Sequence, residues 1–375
     1  MPKYRFEQIA INSTEKKKPT EEDRFTYLGL EHLDSGSLKV TRFGSDVAPI
    51  GEKLVMREGD VLFGKRRAYQ KKVAIAPFDG IFSAHGMVLR PREDVIDKDF
   101  FPLFISSDYF LDAAIKISVG SLSPTINWRD LRNLEFNLPP LEEQRKLAKV
   151  LWAVNNTMES YKKLIKATED LVKSQFIALF GDPVENPFCW PTRPLLELGE
   201  CKNGMNFHTG DSGTTFHCLG VGDFKNLSSI QNTSELPTVS LGSIPSNDYF
   251  LQDEDIVFVR SNGNKELVGR CLLVYPGNIP TIFSGFCIRY RRMDQSVNAL
   301  YLLHILKNAS VRKLLVGRGA NIQNLSQNTL STIIIPIPPV ELQETFVSFI
   351  HQSDKSKFAA VNVSNLNLSL GLVTP

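Results

Sequence analysis

A single uninterrupted stretch, residues 138–180, constrains the fold of this chain more than any other part of its 375 residues. Neither glycine nor proline occurs between Pro140 and Gly181, so nothing in the backbone interrupts a helix there. Pro139 and Pro140 suit the start of a helix, and Gly181-Asp182-Pro183 is a typical stop signal. At about 1.5 Å per residue, roughly 40 residues form a rod of about 60 Å. We therefore expect a spacer helix in the middle of the chain.

Apolar side chains in this stretch follow the alternating four- and three-residue spacing of a coiled-coil seam. The seam consists of Leu147, Leu151, Val154, Met158, Tyr161, Ile165, Thr168 and Val172. Phe346 and Ile350 continue the same spacing near the C-terminus, but the positions after them become polar. We therefore expect a second, shorter helix that ends near residue 360.

Three further apolar side chains of the long helix, Trp152, Leu164 and Phe176, lie outside the seam. Apolar surface beyond what a helix pair needs favours a binding partner. The alternative is that the seam only joins the two helices and that these positions are incidental.

The chain also contains an internal repeat with a period of about 200 residues. Each copy has a short apolar strand, a Pro-Pro turn and an acidic helix start that ends in glutamine. The matching segments are Tyr27-Leu28-Gly29 and Cys218-Leu219-Gly220, Glu58-Gly59-Asp60 and Asp253-Glu254-Asp255, Ile81-Phe82-Ser83 and Ile282-Phe283-Ser284, and Pro139-Pro140-Leu141-Glu142-Glu143-Gln144 and Pro338-Pro339-Val340-Glu341-Leu342-Gln343.

This repeat predicts two similar α+β domains with twisted mixed or antiparallel sheets, because alternating runs such as residues 72–76 are typical of strands. The two long helices are expected to pair as an antiparallel coiled coil, which would relate the domains by approximate two-fold symmetry. The expected boundaries are 1–137 for the first domain, 138–181 for the central helix, 184–337 for the second domain, and 338–375 for the distal helix and a tail.

The composition restricts the class of protein without naming a partner. The 43 Lys and Arg residues nearly balance the 41 Asp and Glu residues, and the net charge of +2 neither requires nor excludes nucleic acid. No apolar run approaches the roughly 20 residues that span a bilayer, and the N-terminus lacks the apolar core of a signal peptide. The five cysteines show no CxxC spacing, which favours reduced thiols. We expect a soluble, cytoplasmic protein without membrane contact.

The first copy of the repeat carries a cluster of positive charge directly after a predicted strand. Its side chains are Lys65, Arg66, Arg67, Lys71 and Lys72, with Tyr69 between them. Lysine and arginine neutralise phosphates, and arginine also donates paired hydrogen bonds to guanine. These residues are candidate DNA contacts, and the alternative is a solvated charged turn.

The corresponding segment of the second copy is polar, with Arg260, Ser261, Asn262, Asn264 and Lys265. These side chains can donate to or accept from base edges, and Gly263 would let the backbone approach closely. They form a second set of candidate DNA contacts, with a simple Asn-Gly hairpin turn as the equally weighted alternative.

A third and weaker set of candidates is Lys202, Asn203, Asn206 and Phe207. His85 is expected in the core, with a position in a binding groove as the alternative. The histidines show no HxxxH or HExxH spacing, and Gly64-Lys65 lacks the upstream glycine of a phosphate loop. We therefore expect no catalytic site, no metal and no cofactor.

Three features in this order resemble the specificity subunit of a type I restriction–modification system. They are the repeated Pro-Pro-x-Glu-x-Gln unit, the long helix that ends at Phe180-Gly181-Asp182-Pro183, and the segment from Arg260 to Arg270. The resemblance covers nearly the whole chain. It implies a non-catalytic subunit with two target-recognition domains, each reading one half of a split site in double-stranded DNA. It also implies two helices that hold the domains apart and dock two methyltransferase (modification) subunits, with restriction subunits outside them.

The sequence therefore predicts a DNA-recognition subunit of a methyltransferase/endonuclease complex. One alternative is a catalytic nuclease or methyltransferase, against which the missing motifs argue. The other is an assembly scaffold, or a truncated and inactive specificity allele, which no longer reads DNA sequence. The polar positions after Ile350 are the feature that favours this second alternative.

Overall fold

The computed structural model describes residues 1–207, 213–224, 227–316 and 324–364, without the side chains of Lys265 and of residues 356–364. Within this part, the chain divides into two compact units. Unit 1 comprises residues 1–162 and the described residues beyond 360, and unit 2 comprises residues 163–360.

Unit 1 is built from short strands and short helices. Its strands are β1 (Lys3–Arg5), β2 (Ala10–Ser13), β3 (Lys16–Lys17), β4 (Tyr27–Leu28), β5 (Lys53–Met56), β6 (Val61–Phe63), β7 (Val73–Ile75), β8 (Gly80–Phe82), β9 (Met87–Pro91) and β10 (Glu135–Asn137). Its short helices are α1 (Phe6–Ile9), α2 (Phe101–Ser106), α3 (Asp108–Lys116) and α4 (Trp128–Leu131). One four-stranded sheet has the order β2-β9-β6-β7, a second has the order β3-β5-β8-β4, and β1 pairs with β10.

Strand β6 shows how the layers of unit 1 are held together. Val61 and Phe63 belong to an apolar core that also contains residues of α2 and α3. Leu62 belongs to a second core, which contains residues of the other sheet. Because successive side chains of a strand point to opposite faces, a strand that is apolar throughout is stable where both faces are covered. The first sheet therefore lies between the helices and the second sheet.

The central helix, α5 (Leu141–Phe180), is continuous over 40 residues, as the sequence predicts. Its end is set by Gly181, which has a φ of 76°. The Gly181 N–H donates to the Ile177 carbonyl at 2.9 Å. A left-handed residue after the last turn favours glycine, so the predicted stop signal has its usual physical cause.

Unit 2 repeats this arrangement with longer strands. Its strands are β11 (Thr192–Pro194), β12 (Gly199–Asn203), β13 (Thr214–Leu219), β14 (Ser229–Ile230), β15 (Thr238–Leu241), β16 (Asp255–Val259), β17 (Cys271–Val274), β18 (Thr281–Phe283), β19 (Cys287–Arg292) and β20 (Ile334–Pro336). Its helices besides the end of α5 are α6 (Ala299–Lys307), α7 (Ala309–Val316), α8 (Gln327–Ser331) and most of α9 (Val340–Ser364). The sheets have the orders β12-β19-β16-β17-β14 and β15-β13-β18, and β11 pairs with β20.

Strand β16 in unit 2 corresponds to β6 in unit 1, because its alternate side chains also belong to two different cores. Ile256 and Phe258 belong to the core that contains residues of α6 and α7, whereas Val257 and Val259 belong to a core on the other face of the sheet. The parallel pair β4–β8 of unit 1 likewise has its counterpart in the parallel pair β13–β18 of unit 2. The predicted fold of two similar domains with mixed sheets is therefore confirmed.

A buried ion pair occurs at the same place in both units. The guanidinium of Arg90 donates to the carboxylate of Asp60 through two hydrogen bonds of 2.6 and 2.9 Å. Arg291 donates to Asp255 through two hydrogen bonds of 2.8 and 2.7 Å. Each aspartate lies at the start of a central strand, and each arginine lies on the neighbouring strand. The sequence repeat around the two aspartates thus preserves a buried charge pair.

The distal helix α9 continues to Ser364, about one turn beyond the expected end near residue 360. The sequence between these positions contains no glycine or proline, so the loss of apolar seam residues is not enough to end the helix. Residues beyond 364 lie outside the described part of the chain. The antiparallel pairing of α5 with α9 remains a prediction. No described helix is long and apolar enough to cross a membrane.

Candidate nucleic-acid interface

Loop A, defined as residues 64–72, connects β6 to β7 and carries the first set of candidate DNA contacts. Its base is fixed by two other segments of unit 1. The Ile126 N–H donates to the Lys65 carbonyl at 2.9 Å, and the Arg66 N–H donates to the His85 carbonyl at 3.2 Å. Two segments that are distant in sequence, at His85 and Ile126, therefore meet at the base of the loop.

Two lysines of loop A are engaged within unit 1. Lys71 Nζ lies 2.6 Å from Asp108 Oδ1 and 2.8 Å from Asp112 Oδ1. Hydrogen bonds to these two carboxylates raise the pKa of Lys71. Lys72 Nζ donates to the Leu30 carbonyl at 2.6 Å. Both side chains tie the loop to its own domain, so much of their hydrogen-bonding capacity is used there.

Arg66, Arg67 and Tyr69 are the exposed candidates of loop A, and the Tyr69 side chain is 56% exposed. The backbone around them is unusual, because Arg67 has a φ of 55° and Lys71 a φ of 48°. Left-handed residues other than glycine are uncommon and persist where surrounding contacts fix the chain, often at functional sites. Loop A therefore presents two arginines and an aromatic ring from a constrained backbone.

Positive charge is concentrated around His85. Arg66 Nη1 lies 3.4 Å from His85 Nε2. Burial lowers the pKa of His85, and the charges of Arg66, Lys65 and Lys53 lower it further. Burial and the charge of Lys16 likewise lower the pKa of Lys65. A polyanion placed here would relieve this repulsion. His85 is exposed, so the expectation that it lies in the core is wrong.

Loop B, defined as residues 260–270, connects β16 to β17 in unit 2. The Leu325 N–H donates to the Arg260 carbonyl at 2.7 Å, and the Ser261 N–H donates to the Phe286 carbonyl at 3.3 Å. Loop A is fixed by the same two backbone hydrogen bonds, which residues at the corresponding positions of unit 1 make. The two units thus hold chemically different loops on one backbone framework.

Two asparagines shape loop B through their side-chain carbonyl groups. Asn262 Oδ1 accepts from the Asn264 N–H at 2.8 Å, and Asn264 Oδ1 accepts from the Glu266 N–H at 3.0 Å. Neither Asn262 nor Gly263 has the positive φ of an Asn-Gly hairpin turn, so that alternative is wrong. The loop forms a short 3-10 turn over residues 265–267 instead, because the asparagine side chains stabilise local turns of their own.

The other candidates of loop B differ in their exposure. Arg260 is half-buried, and its Nη1 donates to the Gly285 carbonyl at 3.3 Å. Ser261 is also half-buried, whereas Asn264 is exposed. The side chain of Lys265 lies outside the described part of the chain.

The third set of candidates divides into a paired lysine and a segment beside loop B. Lys202 Nζ lies 3.2 Å from Asp248 Oδ2, so its charge is matched within unit 2. Farther along, the Met205 carbonyl accepts from the Gly285 N–H at 2.6 Å. Residues 205–207 therefore lie next to the turn that contains Phe286.

Sequence reasoning gave a binding groove only as the alternative for His85 in unit 1 and did not single out Phe286 in unit 2. The repeated segments Ile81-Phe82-Ser83 and Ile282-Phe283-Ser284 end just before His85 and Phe286. Extending the repeat by two residues would have aligned these side chains. Their position under loops A and B depends on hydrogen bonds between distant segments, which no local pattern reveals.

The apolar seam residues of α5 are buried near the two ends of the seam and partly buried between them. Leu151 and Val172 are 6% and 4% exposed, and Phe346 and Ile350 of α9 are 0% and 4% exposed. The remaining apolar seam residues, all partly buried, are Leu147, Val154, Met158, Tyr161 and Ile165. This exposure pattern agrees with one apolar face on the helix.

Two of the three apolar residues predicted to lie outside the seam pack in or against the core of their own unit. Trp152 packs against the core of unit 1, and its Nε1–H donates to the Asp99 carbonyl at 2.8 Å. Phe176 is 3% exposed in the core of unit 2. The expectation that these two side chains add exposed apolar surface to the rod is wrong, because the helix also docks onto each domain. Leu164 is 50% exposed and does add apolar surface to the outside of the helix.

Within the described residues, no group of three or more His, Cys, Asp and Glu side chains could hold a metal ion. The units instead share a scaffold that presents different polar and basic loops. This combination defines a class of proteins with two similar domains that present chemically different loops from one framework.

The model of the type I restriction modification DNA specificity domain matches residues 12–169 and 190–366. The chain belongs to this family and contains two copies of its domain. The family predicted from the sequence is therefore confirmed, and with it the function of DNA specificity.

Individual relatives agree with this assignment. The chain is 23% identical over 325 residues to the type I restriction enzyme StySPI specificity subunit of Salmonella potsdam, a match that covers 82% of this chain and 68% of that subunit. It is 23% identical over 292 residues to the EcoKI specificity subunit of Escherichia coli K12, covering 74% of this chain and 62% of that subunit. The chain thus spans about two thirds of the length of these relatives.

A solved structure shares the fold. It is the crystal structure of the type I restriction–modification system S subunit from M. genitalium, with a TM-score of 0.54 and 15% sequence identity. The similarity covers 97% of this chain and 91% of that chain.

Proposed function

We propose that this chain reads a split target in double-stranded DNA, with each unit contacting one half of the target through its own loop. The observation that carries this proposal is the shared framework beneath loops A and B. The Lys65 and Arg260 carbonyls accept equivalent hydrogen bonds, at 2.9 and 2.7 Å, while the side chains that follow them differ. A fixed scaffold with variable loops is suited to placing two different recognition surfaces on one chain.

In unit 1, Arg66, Arg67 and Tyr69 make the direct contacts with DNA, and Lys65 adds charge at the base of the loop. Arginine can pair with guanine in the major groove or with phosphate. Lys71 and Lys72 act indirectly, without contacting the DNA, because their hydrogen bonds hold loop A in its conformation.

In unit 2, Arg260, Ser261, Asn262, Asn264 and Lys265 form the recognition loop. Asparagine can donate to and accept from adenine through its amide, and arginine and lysine can contact guanine or phosphate. Each asparagine carbonyl oxygen already accepts one backbone N–H, and we assign the amide nitrogens as the donors to base edges.

The domains are spaced by the long helices, with boundaries at 1–137, 138–181, 184–337 and 338–375. The seam residues join α5 to α9 as an antiparallel coiled coil. Three exposed apolar residues of α5 lie at multiples of seven residues from one another, with Val150 62%, Leu164 50% and Leu171 53% exposed. This stripe is the surface that docks two methyltransferase subunits, and restriction subunits join outside them.

The chain acts in the cytoplasm, where all five cysteines stay reduced, and they are free thiols in the structure. Its net charge of only +2 supports weak DNA binding by the isolated chain. Salt-dependent affinity comes from neutralised phosphates, so the partner subunits supply much of the electrostatic attraction.

The proposal is tested by co-expressing the chain with its cognate methyltransferase in a host that lacks this methylation, and then mapping modified adenines across the genome. One split motif with two fixed halves and a constant gap is the expected result. A stable complex without new methylation would favour the scaffold alternative. Failure to form a complex would contradict the assignment of the helices as a docking surface.

A further inference from the structure

A four-residue turn in unit 1 holds His85 against loop A. Ser83 Oγ accepts from the His85 N–H at 3.3 Å, and the Ser83 carbonyl accepts from the Gly86 N–H at 3.0 Å. The carbonyl of His85 then accepts the Arg66 N–H at 3.2 Å. The backbone of His85 is therefore fixed on both sides, and its side chain is left exposed.

Unit 2 contains the same turn with a different side chain. Ser284 Oγ accepts from the Phe286 N–H at 3.3 Å, and the Ser284 carbonyl accepts from the Cys287 N–H at 2.8 Å. The Phe286 carbonyl accepts from the Ser261 N–H at 3.3 Å. His85 and Phe286 thus occupy one structural position in the two units.

The side chain at this position is not needed to hold the turn. All of the hydrogen bonds above involve the backbone or the serine hydroxyl, so the turn forms with either histidine or phenylalanine. The Phe286 ring is 60% exposed, although its neighbours Phe283 and Cys287 are fully buried. An aromatic ring that is held exposed beside a polar loop contributes little to folding, because it buries little apolar area.

The surroundings of the position indicate its ligand. In unit 1, Arg66 lies 3.4 Å from His85, and in unit 2 the Arg260 guanidinium donates to the carbonyl of Gly285, the residue just before Phe286. Each of the two positions thus lies beside an arginine of its recognition loop, although Arg66 and Arg260 are not equivalent to each other. An apolar ring there cannot bind phosphate, but it can contact the methyl group of thymine in the major groove.

From this equivalence we propose that His85 and Phe286 are matched specificity-determining residues, each contacting one base pair of its half-target. His85 hydrogen-bonds to a base edge through its ring nitrogen, and Phe286 packs on a thymine methyl. The inference rests on the proposed function and adds two residues to the recognition surface that lie outside loops A and B.

The test exchanges the two side chains in the complete complex with the methyltransferase subunits. Phe286→His and His85→Phe are each assayed against libraries in which one half-site is randomised. We expect Phe286→His to lose about tenfold in preference at one base pair of the unit 2 half-site, in line with the worth of a single base contact. The unit 1 half-site and complex assembly stay unchanged. We expect His85→Phe to lose preference at one base pair of the unit 1 half-site and to leave the unit 2 half-site unchanged.

Two further variants make the outcome decisive. Phe286→Ala is expected to relax discrimination at the same base pair without creating a new preference. Phe188→His changes another exposed phenylalanine of unit 2, 51% exposed, and is expected to leave both half-sites unaltered. Thermal melting of each complex checks that the variants fold, and Phe286→Ala alone serves as the test if Phe286→His does not fold.

Other results would overturn the inference in distinguishable ways. A uniform loss of affinity for all sequences would make these residues non-specific contacts. Loss of assembly at unchanged DNA preference would place Phe286 in a protein interface. Unchanged preferences in a wild-type complex that reads a split site would refute the inference alone, whereas a wild-type complex without sequence preference would refute the proposed function.

Discussion

Gln144 and Gln343 make the same set of hydrogen bonds, each within its own unit. Gln144 Oε1 accepts from the Asp97 N–H at 2.8 Å, and its Nε2 donates to the Val95 and Pro139 carbonyls at 3.1 and 2.8 Å. Gln343 Oε1 accepts from the Asn298 N–H at 2.7 Å, and its Nε2 donates to two carbonyls at 2.9 Å each. The repeated Pro-Pro-x-Glu-x-Gln motif therefore joins the start of each long helix to the body of its domain.

Replacing either glutamine is expected to destabilise its unit. Gln144→Ala leaves one backbone N–H and two carbonyls without partners at a site that is 1% exposed. A buried polar group without a partner costs about 1–3 kcal/mol, so we expect a loss in that range for Gln144→Ala and also for Gln343→Ala. Chemical denaturation of each variant measures this loss of unfolding free energy.

The matched controls for this prediction are Glu143→Ala and Glu344→Ala, which alter the exposed neighbours of the two glutamines. These changes should stay within about 0.5 kcal/mol. Equal effects from glutamine and glutamate variants would mean that the hydrogen bonds do not hold the helix starts.

The buried ion pair of unit 2 gives a second prediction. The Asp255 side chain is 1% exposed and the Arg291 side chain 16% exposed. Asp255→Asn leaves the arginine charge without its counter-ion, and we expect unit 2 to lose about 3–5 kcal/mol of unfolding free energy. The control Asp170→Asn breaks the exposed pair between Asp170 and Lys173 and should cost less than about 1 kcal/mol. A similar loss for both would contradict the role of burial.

Loop A gives a third prediction, which concerns DNA affinity. Arg66→Ala and Arg67→Ala each remove an exposed charge of loop A, whereas Lys98→Ala removes an exposed charge that does not belong to the loop. For an arginine that contacts phosphate, the slope of log affinity against log salt falls by about 0.9. For an arginine that contacts a base, the half-site preference changes instead. Binding titrations of the complex at several salt concentrations distinguish the two roles, and the Lys98 variant should match the wild type.

The central helix gives a fourth prediction. An insertion of four helical residues after Thr168 lengthens α5 by about 6 Å, at about 1.5 Å per residue. This is on the order of two base pairs at about 3.4 Å each. We expect the gap between the half-sites to lengthen while both half-sites stay the same, as mapped by adenine methylation. A change in either half-site would contradict the spacer role of the helix.

The cysteines give a fifth prediction. Burial raises the pKa of Cys201, Cys218 and Cys287 to about 12 and that of Cys271 to about 11, whereas Cys189 is exposed. Because the thiolate is the reactive form, the four raised thiols stay protonated and inert at pH 8. A thiol reagent should modify one cysteine per native chain and five after denaturation. Modification of more than one in the native chain would show that a buried thiol becomes accessible.

Local patterns in the sequence predicted the parts of this protein that depend on neighbouring residues. The long helix followed from apolar spacing and from the absence of glycine and proline, and Gly181 ended it as expected. The repeat predicted two domains of one fold, since each copy carries the same strand, Pro-Pro turn and glutamine. The positions of loops A and B were also predicted, because each follows a buried central strand.

The roles of individual side chains in those loops could not be predicted in the same way. Lys71 and Arg67 are equivalent in a count of charges, yet Lys71 is held by Asp108 and Asp112 of α3 while Arg67 is exposed. The aspartates lie far from loop A in sequence, and only packing brings them to it. Trp152 was assigned to a partner surface for the same reason, because the carbonyl that its ring contacts belongs to a distant turn.

The sequence by itself thus determined the helices, the duplicated domain and the family, because periodicity and repeated motifs are local or directly comparable along the chain. The tertiary structure alone decided which charges of the loops are exposed and which are paired inside a domain. It also placed His85 and Phe286 at one position beneath the two loops. The physical reason is that hydrogen bonds and ion pairs between distant segments set exposure and charge, and these contacts exist only once the chain has folded.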